Sequence, residues 1–377
     1  MGRQRSKAGG SRLVDVKVLA LASYPVEAAA TRYRLQQFVE PLASRGIELT
    51  VKPFLDSDSF GRLYRDSSRV STAVRLMWAT ARRLGMTVTL GTADVILVQR
   101  EAMIIGPPVV EWLAARLFKR PMVLDLDDAT YVPYTSPTYG GLTKALKFFR
   151  KTDQLIRWSR LVICGNQTIA HYVFSKGART EIIPTIVDTD MFKPTGAHNQ
   201  SLPVVGWIGT HSTFPFLEAI LPALAEAAKR QPFKLKIVGS GRATVNVPGV
   251  EVENLEWNLG REIEDFQSLD IGLYPLNADN NWVTGKSGFK AIQYMSVGVP
   301  YVATPIGATA QIGEENVTHF FARTPAEWIE KLTTLLDDEA KRREMGRAGR
   351  QHALECYHLE NQADKLAHVL REAAKRN

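Results

Sequence analysis

Short runs of Val, Ile and Leu alternate with amphipathic helical stretches from one end of this 377-residue chain to the other, and no other feature constrains its fold so tightly. Strands that are apolar on both faces must be covered on both sides, which calls for parallel sheets wrapped in helices, an α/β fold. Strands are expected at 14–21, 47–51, 95–99, 122–126, 161–164 and 181–183, with helices notably over 31–44 and 144–158. A second series follows at 204–208, 235–238, 250–253, 271–274 and 301–303. The length suits two domains, each with a Rossmann-like, doubly wound sheet.

The boundaries follow from punctuation. Residues 1–12 form a basic tail, 13–190 the first domain and 202–357 the second. Residues 184–201 hold two prolines, Gly196 and several polar residues without periodicity, which reads as a linker. Helices fill the chain beyond Pro325, and the last of them, 358–377, is expected to return and complete the first domain.

Charge is unevenly shared. Residues 1–195 hold 28 Lys and Arg against 17 Asp and Glu, a net of +11, whereas 196–377 hold 19 against 22, a net of −3. A basic half asks for an anionic partner: phosphorylated substrates, an acidic lipid surface or, with no recognisable module behind it, nucleic acid. Two stretches, 62–83 and 144–160, interleave Arg and Lys with apolar and aromatic residues at helical spacing. Such a face lies either on an anionic membrane or, apolar side inward, on the core. Cys164 and Cys356 lack metal-binding spacing, and no run of about 18 uncharged apolar residues occurs. The chain is expected in the cytoplasm, with peripheral contact at the inner membrane face as an open alternative.

In open parallel sheets, ligands sit beyond the carboxyl ends of the strands. The segment 282–300, Trp-Val-Thr-Gly-Lys-Ser-Gly-Phe-Lys-Ala-Ile-Gln-Tyr-Met-Ser-Val-Gly-Val-Pro, places Gly285, Ser287 and Gly288 just before an amphipathic helix. Backbone N–H groups and the positive helix end converge there, and Lys286 and Lys290 add full charges, so a diphosphate is the natural guest. Gly285-Lys286-Ser287 also imitates the end of a P-loop, but Asn280 stands where the leading Gly belongs. A further turn, Gly209-Thr210-His211-Ser212, follows a strand and opens a helix, where N–H groups can meet the same phosphates from the other side. In the first half, Asp125, Asp127 and Asp128 close a strand and crowd three carboxylates together, as hydrogen-bonding to sugar hydroxyls or a raised pKa requires. Arg32 and Arg34 open the first helix, within reach of an acceptor or phosphate.

The segment 285–300 resembles the donor-binding region of glycosyltransferase family 4 and its GT-B relatives, through Gly285, Lys286, Gly288, Lys290, Gln293, Tyr294, Met295, Gly298 and Pro300. The Asp-x-Asp-Asp run and the 206–212 turn are similar to the same branch. The larger family places Glu eight residues apart where this chain has Gly285 and Gln293. The resemblance implies a GT-B fold, two Rossmann-like domains facing across a cleft. It further implies a retaining transfer from a nucleotide-diphosphate sugar to a glycan or lipid-linked acceptor, with no obligatory cofactor and no metal. In that reading Lys290, Lys286, Asp127 and Asp128 are catalytic. Gly209, Thr210, His211, Ser212, Gly285, Ser287, Gly288 and Gln293 bind the donor, and Arg32, Arg34 and Asp125 the acceptor. The rivals are a metal held by Asp-x-Asp, against which the second sheet argues, a nucleotide-sugar epimerase on the same scaffold, and a non-catalytic nucleotide-sugar binding protein.

Overall fold

The computed structural model describes residues 14–63, 69–132, 148–196, 201–277 and 283–375. The basic tail at 1–12, the lysines at 144 and 147, part of the linker and the loop positions 280 and 282 lie outside them.

Among the described residues the first sheet has six parallel strands: β1 (Val16–Ala22), β2 (Ile47–Pro53), β3 (Val95–Gln99), β4 (Met122–Leu126), β5 (Leu161–Cys164) and β6 (Thr180–Ile182). Their order is β2-β1-β3-β4-β5-β6. The second sheet holds β7 (Val204–Ile208), β8 (Lys234–Val238), β9 (Glu251–Leu255), β10 (Ile271–Tyr274), β11 (Tyr301–Ala303) and β12 (His319–Phe321), again parallel, in the order β12-β11-β10-β7-β8-β9. The expected α/β architecture of two parallel sheets is therefore what the chain adopts. Strand β12 escaped the sequence reading because three residues, one of them His319, make too short an apolar run to stand out beside its neighbours.

Each order contains one reversal of direction. In the first sheet it falls between β1 and β3, and in the second between β7 and β10. Loops leaving the two strands at such a point diverge, and the crevice between them is where ligands lodge. The fold thereby assigns importance to the loops after β1, β3, β7 and β10 before any side chain is considered.

The helix expected over 31–44 is broken. It runs as Ala29–Arg34, a tight turn Gln36–Phe38, and Val39–Ala43. Pro41, with no N–H to donate, sits within the last piece near its start, where that lack is tolerated. Three helices close the chain, Pro325–Asp337, Glu339–Tyr357 and Leu359–Ala374. Leu359, Ala363, Leu366, Val369 and Leu370 of the last one pack with Val16, Val18, Leu49 and Val95 of the first sheet. The chain therefore passes between the sheets twice. Arg350 fixes the first passage by donating to the carbonyls of Thr189, Phe192 and Ser296 at 2.9, 2.8 and 2.7 Å.

Candidate active site

The loops at the carboxyl ends of the two sheets face each other. Asn166, just past β5, accepts from Ile169 N–H at 2.9 Å and so caps the helix Gln167–Ser175. Its amide nitrogen donates to the carbonyls of Gly285 and Lys286, both at 3.2 Å. Ala129, past β4, packs so closely on Gly285 that an added Cβ there would overlap it. The turn carrying Lys286 and Lys290 is thus lodged against the loop that carries Asp127 and Asp128.

Helix Phe289–Ser296 starts at this point, and its preceding residue Gly288 has φ of 67°, a left-handed conformation that glycine adopts without strain. Lys290 stands in the first turn. Its ammonium donates to Gln293 Oε1 at 2.8 Å and lies 4.9 Å from the centre of the Phe266 ring. Burial draws its pKa down to about 8; the Glu262 carboxylate opposes this, while Arg32 and Lys286 add to it. Burial likewise lowers the pKa of Lys286, against the pull of Asp128. Two cations near one helix N-terminus raise the local positive potential, and an anionic ligand would relieve the cost of holding them there.

Glu262 was not singled out in the sequence, yet it joins the two domains. This nearly buried carboxylate accepts from Arg32 Nη2 at 2.9 Å and from the Tyr33 hydroxyl at 2.8 Å, and its other oxygen lies 3.5 Å from Gln293 Nε2. Tyr33 also stacks at a tilt on Phe289, 4.8 Å between ring centres. Gln293 and Glu262 thus put a carboxylate near Lys290 through a neighbouring helix.

The aspartates separate into distinct roles. Asp125 forms a buried ion pair with Arg34, whose Nε is 3.0 Å from Oδ2, and Arg34 also donates to Ile183 O at 2.5 Å. Both side chains, expected to meet an acceptor, are only 3% exposed, and they satisfy each other inside the first domain, binding the start of the first helix to β4. Arg32 instead meets the second domain. Asp127 accepts two hydrogen bonds from Arg100, each 2.6 Å. Burial pushes its carboxyl up, but Arg100, aided by Arg34, holds it below the usual carboxylate range. Arg100 is a non-glycine residue at φ of 61°, a conformation that turns its side chain back over the end of β4. Asp128 is more exposed, 3.6 Å from Arg100 Nη2, and burial raises its pKa despite that neighbour. Arg100 was missed because its only sequence signal is its place after β3. Among the described residues no cluster of three or more His, Cys, Asp or Glu is arranged to hold a metal ion.

On the far side, Thr210, His211 and Ser212 are exposed in the loop after β7. Thr210 N–H donates to Thr213 Oγ1 at 3.0 Å and its hydroxyl lies 2.8 Å from that of Ser212. Strands β7 and β10 are paired neighbours, so this loop and the Lys286–Lys290 turn flank the reversal point of the second sheet.

Residues 203–338 match the family described as Glycosyl transferases group 1. A D-inositol 3-phosphate glycosyltransferase of Segniliparus rotundus is 22% identical over 272 residues, which is 65% of this chain and 59% of that relative, so the match spans well under two thirds of its length. Among solved structures, a glycosyltransferase of Rickettsia africae superposes with a TM-score of 0.70 at 12% identity, covering 96% of this chain and 99% of that one. Anabaena HepE in complex with UDP gives a TM-score of 0.65 at 16% identity, covering 95% and 100%. A sucrose-phosphate synthase of Thermosynechococcus elongatus gives 0.65 at 13%, covering 94% and 98%. The second half of this chain thus matches the model of the group 1 glycosyl transferases over residues 203–338, and the chain as a whole has the GT-B fold.

Proposed function

We propose that this protein is a retaining glycosyltransferase that moves a sugar from a nucleotide-diphosphate donor to a glycan or lipid-linked acceptor. The observation that carries this reading is the seating of the Lys286–Lys290 turn, at the reversal point of the second sheet, directly against the Asp127–Asp128 loop of the first. A diphosphate bound at Gly285, Ser287 and Gly288 meets the N-terminus of helix Phe289–Ser296, and the loop Gly209–Ser212 approaches it from the adjoining strand. When the bond between the anomeric carbon and the diphosphate oxygen breaks, negative charge grows on the leaving group. Lys290 and Lys286 already stand where that charge appears, a preorganised electrostatic stabilisation. The acceptor hydroxyl attacks from the face that the leaving group vacates, and its proton passes to the donor phosphate, so no protein nucleophile is required. Asp128, less tied by ion pairs than Asp127, orients the sugar or the acceptor, with Asp127 holding the loop in shape.

HepE was crystallised with UDP, which makes uridine diphosphate the first nucleotide to try. A thermal-shift panel of nucleoside diphosphates, followed by turnover of the stabilising donor with and without acceptors, tests the reading. It expects stabilisation by one nucleotide and donor turnover that Lys290→Ala abolishes more completely than it abolishes binding. Absence of turnover with a broad donor and acceptor panel would reduce the protein to a binding module, and an isomerised sugar in the absence of acceptor would make it an epimerase.

A further inference from the structure

The two ends of the Asn166 side chain serve different domains. Its oxygen accepts from Ile169 N–H at 2.9 Å and caps helix Gln167–Ser175 within the first domain. Its amide nitrogen crosses to the second domain, where it donates to the carbonyls of Gly285 and Lys286 at 3.2 Å each. Asn166 is only 5% exposed, and its backbone is extended, with φ of −160° and ψ of 171°, as a capping residue requires. Gly165 before it donates to Leu126 O at 2.8 Å and passes so near Asp127 that an added Cβ would lie 3.0 Å from the Asp127 Cα. Asn166 therefore stands between the aspartate loop and the lysine turn, anchored beside the first and bonded to the second.

What it holds is the direction of two peptide units. Among the described residues no peptide bond is cis, and in a trans unit the C=O and the N–H point opposite ways. With the Gly285 carbonyl turned to Asn166, the Lys286 N–H turns back and donates to Val283 O at 3.1 Å. With the Lys286 carbonyl turned the same way, the Ser287 N–H points away from Asn166, and no acceptor among the described residues takes it. This N–H lies just before Gly288 and the positive end of helix Phe289–Ser296. Were the unit to turn over, a carbonyl oxygen would replace the N–H and repel an anion at the same place.

We infer that Asn166 is a positioning residue: from the first domain it sets the peptide groups with which the second domain grips the donor diphosphate. This role rests on the reading of the Gly285–Gly288 turn as the diphosphate site. The phosphate contacts all belong to the second domain, yet their arrangement is complete only while the carboxyl-end loops of the two sheets meet. Phosphate binding and the approach of the domains therefore reinforce each other.

The test compares the full natural chain with Asn166→Asp and Asn166→Ser. Aspartate and serine cap a helix about as well as asparagine, so the bond to Ile169 persists and the thermal midpoint should stay near that of the natural chain. Aspartate loses the amide donor, and serine is too short to reach both carbonyls. In amide hydrogen exchange, residues 283–288 should exchange about tenfold faster in both variants, while 167–175 keep the natural rate. In titration calorimetry both variants should bind inorganic pyrophosphate about tenfold more weakly. Exchange at 283–288 that is the same in all three chains would overturn the inference, whatever the activity. Weakened pyrophosphate binding in the aspartate variant alone would also overturn it, since the added negative charge would then be the cause. Faster exchange in the variants of a natural chain that binds neither pyrophosphate nor UDP would instead overturn the donor site on which the role rests.

Discussion

Arg32 and Glu262 lie 230 positions apart in sequence, yet their charged groups meet at 2.9 Å across the boundary between the two domains. The same carboxylate takes the Tyr33 hydroxyl and neighbours Gln293, which in turn holds Lys290. Glu262→Gln removes a negative charge that supports the protonated form of Lys290. The alkaline limb of kcat/KM, which reports the free enzyme, should therefore move to lower pH in the variant, and an unshifted limb would show that Lys290 does not set it.

Lys290 itself should cost stability. Its folded pKa, about 8, lies below its ordinary 10.5, so between those values the unfolded chain holds the proton that the folded one has released, and stability rises with pH through that window. Lys290→Met should raise the thermal midpoint at neutral pH while abolishing turnover, and the gain should shrink as pH climbs from about 8 towards 10.5. Melts at several pH values decide it.

Asp127 and Asp128 should separate by experiment. Asp127→Ala strands Arg100 against a buried site and should cost about 3 kcal/mol in denaturant melts, the usual penalty for removing one partner of a buried pair. Asp128→Ala should stay within about 1 kcal/mol of the natural chain and lose transfer activity. Equal destabilisation by the two would contradict the division of roles.

Gly285→Ala drives a methyl group into Ala129 and so wedges the domains apart. Donor affinity should survive better than turnover, because the phosphates are held by one domain and the acceptor is aligned by two. Isothermal titration beside kinetics would reveal the split; parallel losses would place the effect on donor binding instead.

The sheets were legible because apolar strand runs repeat at the spacing of a parallel fold, and β3, β4 and β5 lie where their sequences read as strands. The lysine-bearing turn was legible because glycines and cations cluster within six residues. Glu262 and Arg100 were not, since each gains its meaning from a partner that only the folded chain brings near. The pairing of Arg34 with Asp125 was not legible either: two charged residues beside ligand-facing loops read as contacts for a substrate, and only the folded chain shows that they are buried together. The facing of helix Arg69–Gly85, whose Met77 and Trp78 are exposed, was ambiguous for a related reason, as composition says that a helix is amphipathic but not which way it faces.

The last helix, Leu359–Ala374, lies on the sheet built from the opening residues. During synthesis that sheet must wait, its apolar layer only partly covered, until residues 359–374 have been made, whereas the described strands of the second sheet are all made by Phe321. The half translated first is thus the half that gains its full apolar cover last.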